Sequence, residues 1–167
     1  MGKRQSAMEK MERLMENRVL AEDMEYIFKS LSEKEKAKLK NSRVLVTGCA
    51  GFLGYYLMSF FAFYSKILGI RKIIGLDNFL IRKPGWLVHL QENVDAFEIC
   101  EFDVITDTVL DIEDAKNADF IVHMASVASP TFYRKYPIET LDANIWGLRK
   151  LLDIYKERPV KGFLFFS

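Results

Sequence analysis

Residues 46–54 read VTGCAGFLG. Three glycines, Gly48, Gly51 and Gly54, stand three apart, directly after an apolar run. A phosphate can approach a backbone closely only where no Cβ intervenes, so glycines at such spacing suggest a phosphate cradle. Gly48 would let the chain turn sharply after a strand. Gly51 would let a pyrophosphate reach a helix N-terminus, where unpaired N–H groups and the helix dipole favour negative charge. Gly54 would let that helix pack closely on a sheet. The spacing is G-x-x-G-x-x-G rather than G-x-G-x-x-G, so the surrounding elements must carry the reading.

They do so consistently. RVLVTG (43–48) reads as a strand and GFLGYYLMSFFAFYSKIL (51–68) as a helix. RKIIGLD (71–77), AFEICEFD (96–103), DFIVHMAS (119–126) and KGFLFFS (161–167) read as further strands. YPIETLDANIWGLRKLLDIYKERP (136–159) reads as one long helix, with Pro137 suited to its first turn and Pro159 beyond its end. Strands alternating with helices imply βαβ units and a parallel sheet, and near-continuous apolar strands imply a sheet covered on both faces. The expected fold is α/β: a doubly wound, Rossmann-type parallel sheet of about five strands in the order 3-2-1-4-5.

The second strand ends in Asp77, about 20 residues beyond the glycines. A carboxylate there is placed to accept hydrogen bonds from adenosine ribose hydroxyls. It would also repel a 2′-phosphate, which favours NAD over NADP. The competing reading is a loop aspartate that caps the next helix. Arg82 and Lys83 read as a solvated loop, or as contacts to the adenosine edge.

Of 167 residues, 50% are hydrophobic and 28% charged, an ordinary globular balance for one domain with a real core. The net charge of +1 argues against a nucleic-acid surface. Two cysteines, Cys49 and Cys100, are too few for a disulfide framework and match no zinc spacing, so no metal site and a reducing, cytoplasmic setting are expected. The apolar run from Phe52 to Ile70 is interrupted by polar residues and follows the glycines at helical spacing, so a buried helix is expected rather than a membrane span. The start shows no apolar signal-peptide core, and MGKRQS fits the N-myristoylation pattern only because that pattern is permissive.

Residues 1–42 differ in texture, being rich in Glu, Lys, Arg and Met. They read as a helical extension packed on the domain, or alternatively as a contact element for a partner. Met8, Met11 and Met15 share one helical face, and Met24, Phe28 and Leu31 another. SEKE at 32–35 has the capping-box form, so a new helix is expected from Ser32.

Taken together, these motifs resemble the extended short-chain dehydrogenase/reductases that act on nucleotide sugars. VTGCAGFLG is similar to that family's T-G-x-x-G-x-x-G loop, LDNF (76–79) to its second-strand end, and FDV (102–104) to its adenine-side aspartate motif. HMASVASP (123–130), NIWG (144–147) and FLFFS (163–167) resemble its fourth strand end, its N-x-x-G helix motif and its fifth strand. The resemblance spans about residues 43–167, and ASVASPTFYRKYPIETLDAN is most similar to UDP-glucuronate decarboxylases, with 4,6-dehydratases and 4-epimerases as near neighbours.

The resemblance implies roles position by position. Gly48, Gly51, Phe52 and Leu53 would line the pyrophosphate of NAD, with Gly54 behind them. Asp77 would bind the adenosine ribose, beside Asn78 and Phe79. Asp103 and Val104 would meet the adenine. Met124, Ala125 and Ser126 would run towards the nicotinamide ribose, and Asn144 would lie on the buried side of its helix near them. Ser129 and Tyr133 would be substrate-side contacts. The implied chemistry is hydride removal from the sugar C4 to give a 4-keto intermediate, by a homodimer.

Plainer readings accompany these roles. His123 reads as hydrogen-bonded structure rather than catalyst. Cys49 reads as a small loop filler, with a reactive thiol unsupported. Asn144 could simply satisfy backbone groups, and Ser126 and Ser129 could simply shape a turn before Pro130.

The family's base is a Tyr-x-x-x-Lys pair, whose lysine lowers the tyrosine pKa. None of the seven tyrosines here has a lysine four residues on. The expectation is therefore a cofactor-binding half without the catalytic half, a fragment of a longer enzyme rather than a natural short form. It should be inactive alone, and aggregation-prone or oligomeric, because its long helix carries Leu141, Ile145, Leu148 and Leu152 as a second apolar stripe opposite the small Thr140, Ala143, Asn144 and Gly147. The alternative is a non-catalytic NAD-binding or interaction module that uses residues 1–42.

Overall fold

A computed structural model describes residues 17–166; the Met8, Met11 and Met15 stripe, the MGKRQS start and Ser167 lie outside them. Two helices open the described chain, α1 (Arg18–Ser30) and α2 (Glu33–Leu39). The capping box at Ser32 forms as its spacing predicts. The Ser32 hydroxyl accepts from Glu35 N, and the Glu35 carboxylate accepts from Ser32 N at 2.8 Å.

There follow β1 (Arg43–Thr47), α3 (Phe52–Leu68), β2 (Lys72–Asp77), α4 (Gly85–Asn93) and β3 (Phe97–Glu101). A short 3-10 turn (Val109–Asp111) leads to α5 (Glu113–Lys116) and β4 (Phe120–His123). The chain continues through α6 (Pro130–Lys135), α7 (Pro137–Asp142), a π-helical segment (Ala143–Gly147) and α8 (Leu148–Tyr155) to β5 (Gly162–Phe165). All five strands pair in parallel, in the order β3-β2-β1-β4-β5. The order reverses between β1 and β4, which is where such sheets open a ligand crevice at their carboxyl ends.

Alternation along the strands divides the interior into two cores. Val44, Val46 and Ile73 face one side, where α1, α3 and α4 add Met24, Met58 and Leu87. Leu45, Ile74 and Ile121 face the other, where Ala143, Leu151 and Tyr155 close over them. Successive side chains of a strand point to opposite faces, so a doubly covered sheet needs this continuous apolar run. No helix among the described residues is long and apolar enough to cross a membrane.

The long helix expected over 136–159 forms from Pro137 to Tyr155, with a π segment inside it. Tyr136, which precedes Pro137, takes φ −127° and ψ 61°, and the ring of the following proline disfavours helical backbone there. A separate helix therefore occupies Pro130–Lys135, and the later one widens into a π turn before ending at Tyr155. Helix α4 has no counterpart in the sequence reading. It begins after Pro84 with no side-chain cap, so the usual start signal is missing.

Residues 17–42 are integral to the fold. Leu20 and Met24 are buried, and Phe28 stacks on Tyr64 of α3 with ring centroids 4.3 Å apart. Met24→Ala should lower stability in urea denaturation by about 2–4 kcal/mol, as for other buried truncations. A loss below about 0.5 kcal/mol, the range of surface substitutions, would show that the helix rides on the domain without supporting it.

The seam between β1 and β4 is locked at its carboxyl end. The Thr47 hydroxyl lies 2.6 Å from His123 Nδ1 and accepts from Ala125 N at 3.3 Å. The other ring nitrogen, Nε2, is buried and has no hydrogen-bond partner among the described residues. The ring is fully buried and stacks on Phe165, and burial pushes its pKa down to about 4. The unfolded chain, near 6.5, then binds the proton more readily than the folded one. The associated stability, up to about 3 kcal/mol, is complete above pH 6.5, falls as pH drops and levels off below about 4. In urea denaturation at pH 7.5 and 4.5, His123→Asn should start less stable than the parent but lose less between the two. Equal losses would remove His123 as the source of acid sensitivity.

Candidate functional site

Gly48 leaves β1 with φ +74°, a left-handed conformation that favours glycine. A Cβ there would stand 2.7 Å from Ala125 N and from the Met124 carbonyl carbon, so only glycine lets the chain cross the end of β4. Gly51 caps α3 with no side-chain cap bond. A Cβ on it would meet only Gly48 O, at 3.3 Å, and otherwise stand in open space. The first-turn N–H groups of α3, at Phe52 and Leu53, therefore border an open concavity with the helix dipole behind it. Gly54 is buried, but its close neighbours are not the sheet. A Cβ there would fall 2.3 Å from Cys49 O, so Gly54 lets α3 pack on the carbonyls of its own entry loop.

Asp77 stands across the same concavity at the end of β2. Its Oδ2 accepts from Ala50 N and its Oδ1 from Phe79 N, each at 2.9 Å. It does not cap the next helix, which begins after Pro84. Each oxygen keeps a lone pair for a ribose hydroxyl. Phe79 takes φ +51°, unusual for a bulky residue, and the bond to Asp77 sits beside that strain. Asn78 is exposed and donates to Asp103 Oδ2 at 3.3 Å. Asp103 lies just beyond β3 and accepts from Ile105 N at 2.8 Å. Val104 is buried under Gly147, whose missing Cβ would come 2.8 Å from Val104 Cγ2. Val104 therefore offers the crevice only its backbone.

On the other side of the crevice, Met124 and Ala125 are half-buried and Ser126 is exposed. Asn144, within the π segment, donates to Ser126 Oγ at 3.0 Å and to Thr140 O at 2.7 Å. Asn144 thus ties Ser126 to the helix while also bonding a backbone carbonyl of its own segment. Ser129 is half-buried at the start of α6 and Tyr133 is exposed on it, and no side-chain hydrogen bond joins either to the residues above. Arg82 and Lys83 are exposed, with the Lys83 ammonium 5.1 Å from the Phe79 ring centroid.

Cys49 is fully buried. Desolvation first, and the Asp77 charge second, push its thiol far above the ordinary range, so it fills space and is not a nucleophile. Among the described residues no cluster of His, Cys, Asp or Glu is gathered to hold a metal. Thr47 and Lys150 (which donates to the Ile105 and Asp107 carbonyls at 2.8 Å) border the site but were not singled out in the sequence. The only sequence signal for Thr47 is its place before Gly48. Lys150 has none, because its partners are distant backbone carbonyls.

Comparison with known proteins agrees with this geometry. The model of the NAD dependent epimerase/dehydratase family matches residues 44–167. UDP-glucuronic acid decarboxylase 1 of Arabidopsis thaliana is 34% identical over 118 residues, 70% of this chain and 24% of that enzyme. An epimerase from Methanothermobacter thermautotrophicus superposes with a TM-score of 0.62 at 25% identity, over 79% of this chain and 37% of that one. A variant of UDP-glucuronic acid 4-epimerase from Bacillus cereus, in complex with NAD and UDP-4-deoxy-4-fluoro-glucuronic acid, shares the fold with a TM-score of 0.61 at 23% identity, over 75% of this chain and 40% of that one. The chain spans about a quarter to a third of the length of the curated relatives it matches. With the glycine loop, the five-stranded parallel sheet and the family match in register, the chain belongs to the NAD dependent epimerase/dehydratase family.

Proposed function

We propose that this chain is the NAD-binding part of a nucleotide-sugar modifying enzyme that works through a 4-keto sugar, with UDP-glucuronate decarboxylation as its leading chemistry. The observation that carries the reading is the shared carboxylate of Asp77, bonded to the glycine loop on one oxygen and to the β2 exit on the other. At Gly51 the absent Cβ leaves open space beside the start of α3. The residues present fit a dinucleotide. Phe52 and Leu53 N–H groups take the pyrophosphate, Asp77 takes the ribose hydroxyls beside Asn78 and Phe79, and Asp103 takes the adenine amine. Met124, Ala125 and Ser126 flank the nicotinamide half, with Ser126 held by Asn144.

NAD, when bound, supplies the hydride acceptor for the sugar C4. The chain's own part is to bind and orient, because no tyrosine in it carries a lysine four residues on. Alone it binds and does not turn over. Ser129 and Tyr133, on the far side of the crevice, are assigned to the nucleotide sugar. The decarboxylase choice is supported by the curated relatives of that name, and 4,6-dehydration and 4-epimerisation are the alternatives. Exposed Leu141, Ile145, Trp146 and Leu152 suit a second copy in a homodimer. The free Cys49 and Cys100 suit a reducing cytoplasm. The rival non-catalytic module has less support, since α1 turns its apolar face onto the domain.

Calorimetric titration with NAD and NADP tests the reading. The parent chain should prefer NAD by about tenfold or more, as loss of one charge-assisted hydrogen bond would give. Asp77→Asn should erase that preference, since the neutral amide neither accepts from two hydroxyls nor repels a 2′-phosphate. It should also lower the melting temperature, because its NH2 group would face one of the two N–H donors that Asp77 now satisfies. A folded parent chain that binds neither dinucleotide would overturn the proposal.

A further inference from the structure

We propose that Lys150 is a positioning residue for adenine recognition, holding the loop after β3 so that the Asp103 carboxylate faces the nucleotide. This rests on the dinucleotide reading above. Residues 102–108 form a tight turn at the carboxyl edge of the sheet. Asp103 N donates to Asp107 Oδ2 at 2.8 Å, and Asp107 N donates back to Asp103 O at 2.9 Å. The side chain of Asp103 is aimed by the same turn, with Oδ1 accepting from Ile105 N at 2.8 Å. Its Oδ2 has only the long 3.3 Å bond from Asn78, which leaves acceptor capacity towards the crevice.

The turn is held by Phe102 N, which donates to Asp77 O, by Asn78 on Asp103 Oδ2, by the burial of Phe102 and Val104, and by the face it shows to the helix after the π segment. Gly147 presses on Val104 there. Lys150, three residues on and so on the same helical face, gives two of its three N–H donors to the carbonyls of Ile105 and Asp107, each at 2.8 Å. These carbonyls belong to the turn itself, two and four residues after Asp103. A cation fixed beneath them sets the plane of the turn, and with it the direction of the carboxylate. Lys150 touches no nucleotide atom in this scheme; it acts through the backbone that carries Asp103.

The probe pair is NAD and nicotinamide hypoxanthine dinucleotide, which differ at the exocyclic amine of the purine. The purine amine is a donor that only a correctly aimed acceptor can read. Calorimetry on the parent chain should give NAD an advantage of about tenfold, the worth of one hydrogen bond to a charged acceptor. Lys150→Met should bring the two ligands within about twofold of each other, chiefly by weakening NAD, with the hypoxanthine analogue near its parent affinity. Lys150→Arg, whose fork can reach both carbonyls, should restore the gap. Lys150→Gln, which keeps one donor group, should fall between them and serves if the Met variant does not fold.

Asp103→Ala separates the layers of the argument. A parent chain that binds neither ligand removes the dinucleotide reading itself. Binding without a gap, or an Asp103→Ala variant that keeps the gap, removes the adenine contact and the proposal with it. A gap that collapses in Asp103→Ala but survives in folded Lys150→Met or Lys150→Gln overturns the role of Lys150 alone.

Discussion

Where β1 leaves the sheet, one backbone must pass another with no room for a methyl group between them. Gly48 sits against the Met124–Ala125 peptide, and everything at the carboxyl edge is arranged around that contact. Gly48 N donates to Leu76 O on one neighbouring strand, and Met124 N donates to Thr47 O on the other. The Thr47 hydroxyl then joins His123 to Ala125 across the seam. The loop is thus tied to both flanking strands before its first helical residue. Backbone N–H groups are only as well aimed as the chain that bears them, and this tie fixes the loop that leads into α3.

Asp77 couples the stability of that loop to its chemistry. Its carboxylate is the one charged group bonded to both the loop and the β2 exit, through Ala50 N and Phe79 N. A charged acceptor shared by two N–H donors is stronger than a neutral one, and it holds Phe79 next to a left-handed backbone that bulky side chains rarely take. The same charge helps to keep the neighbouring Cys49 protonated. A variant at Asp77 therefore disturbs the loop and the β2 exit at once. This is why the isosteric amide, read together with thermal stability, is a sharper probe than truncation.

The legibility of the fold varied with the range of the interactions that set it. The strands could be read because burial on both faces forces apolar runs, and the helix at Ser32 because its capping box is local. The place of Asp77 at the carboxyl edge could be read because the second strand of a doubly wound sheet ends there. Helix α4 was missed because it starts after Pro84-Gly85, a pair that reads as a turn, without a side-chain cap. The bracing role of Asp77, the seat of Gly54 on Cys49 O and the reach of Lys150 all end on backbone atoms. Backbone partners have no sequence identity, so no residue pattern announces them.

The helix from Pro137 to Tyr155 shows how such unannounced contacts shape an element that looked uniform. Ala143, Gly147, Leu151 and Tyr155 are all buried, and they recur every four residues. A spacing of four overshoots a 3.6-residue turn by about 40° each time, so on a regular helix the stripe would wind off the sheet. The π segment over Ala143–Gly147 widens the first of these turns and absorbs part of that drift. Within it, Asn144 donates its side-chain amide to the Thr140 oxygen, which Ala143 N also reaches. The insertion therefore lets one helix serve both ends of the crevice: Asn144 reaches Ser126 beyond β4, while Gly147 and Lys150 grip the turn beyond β3.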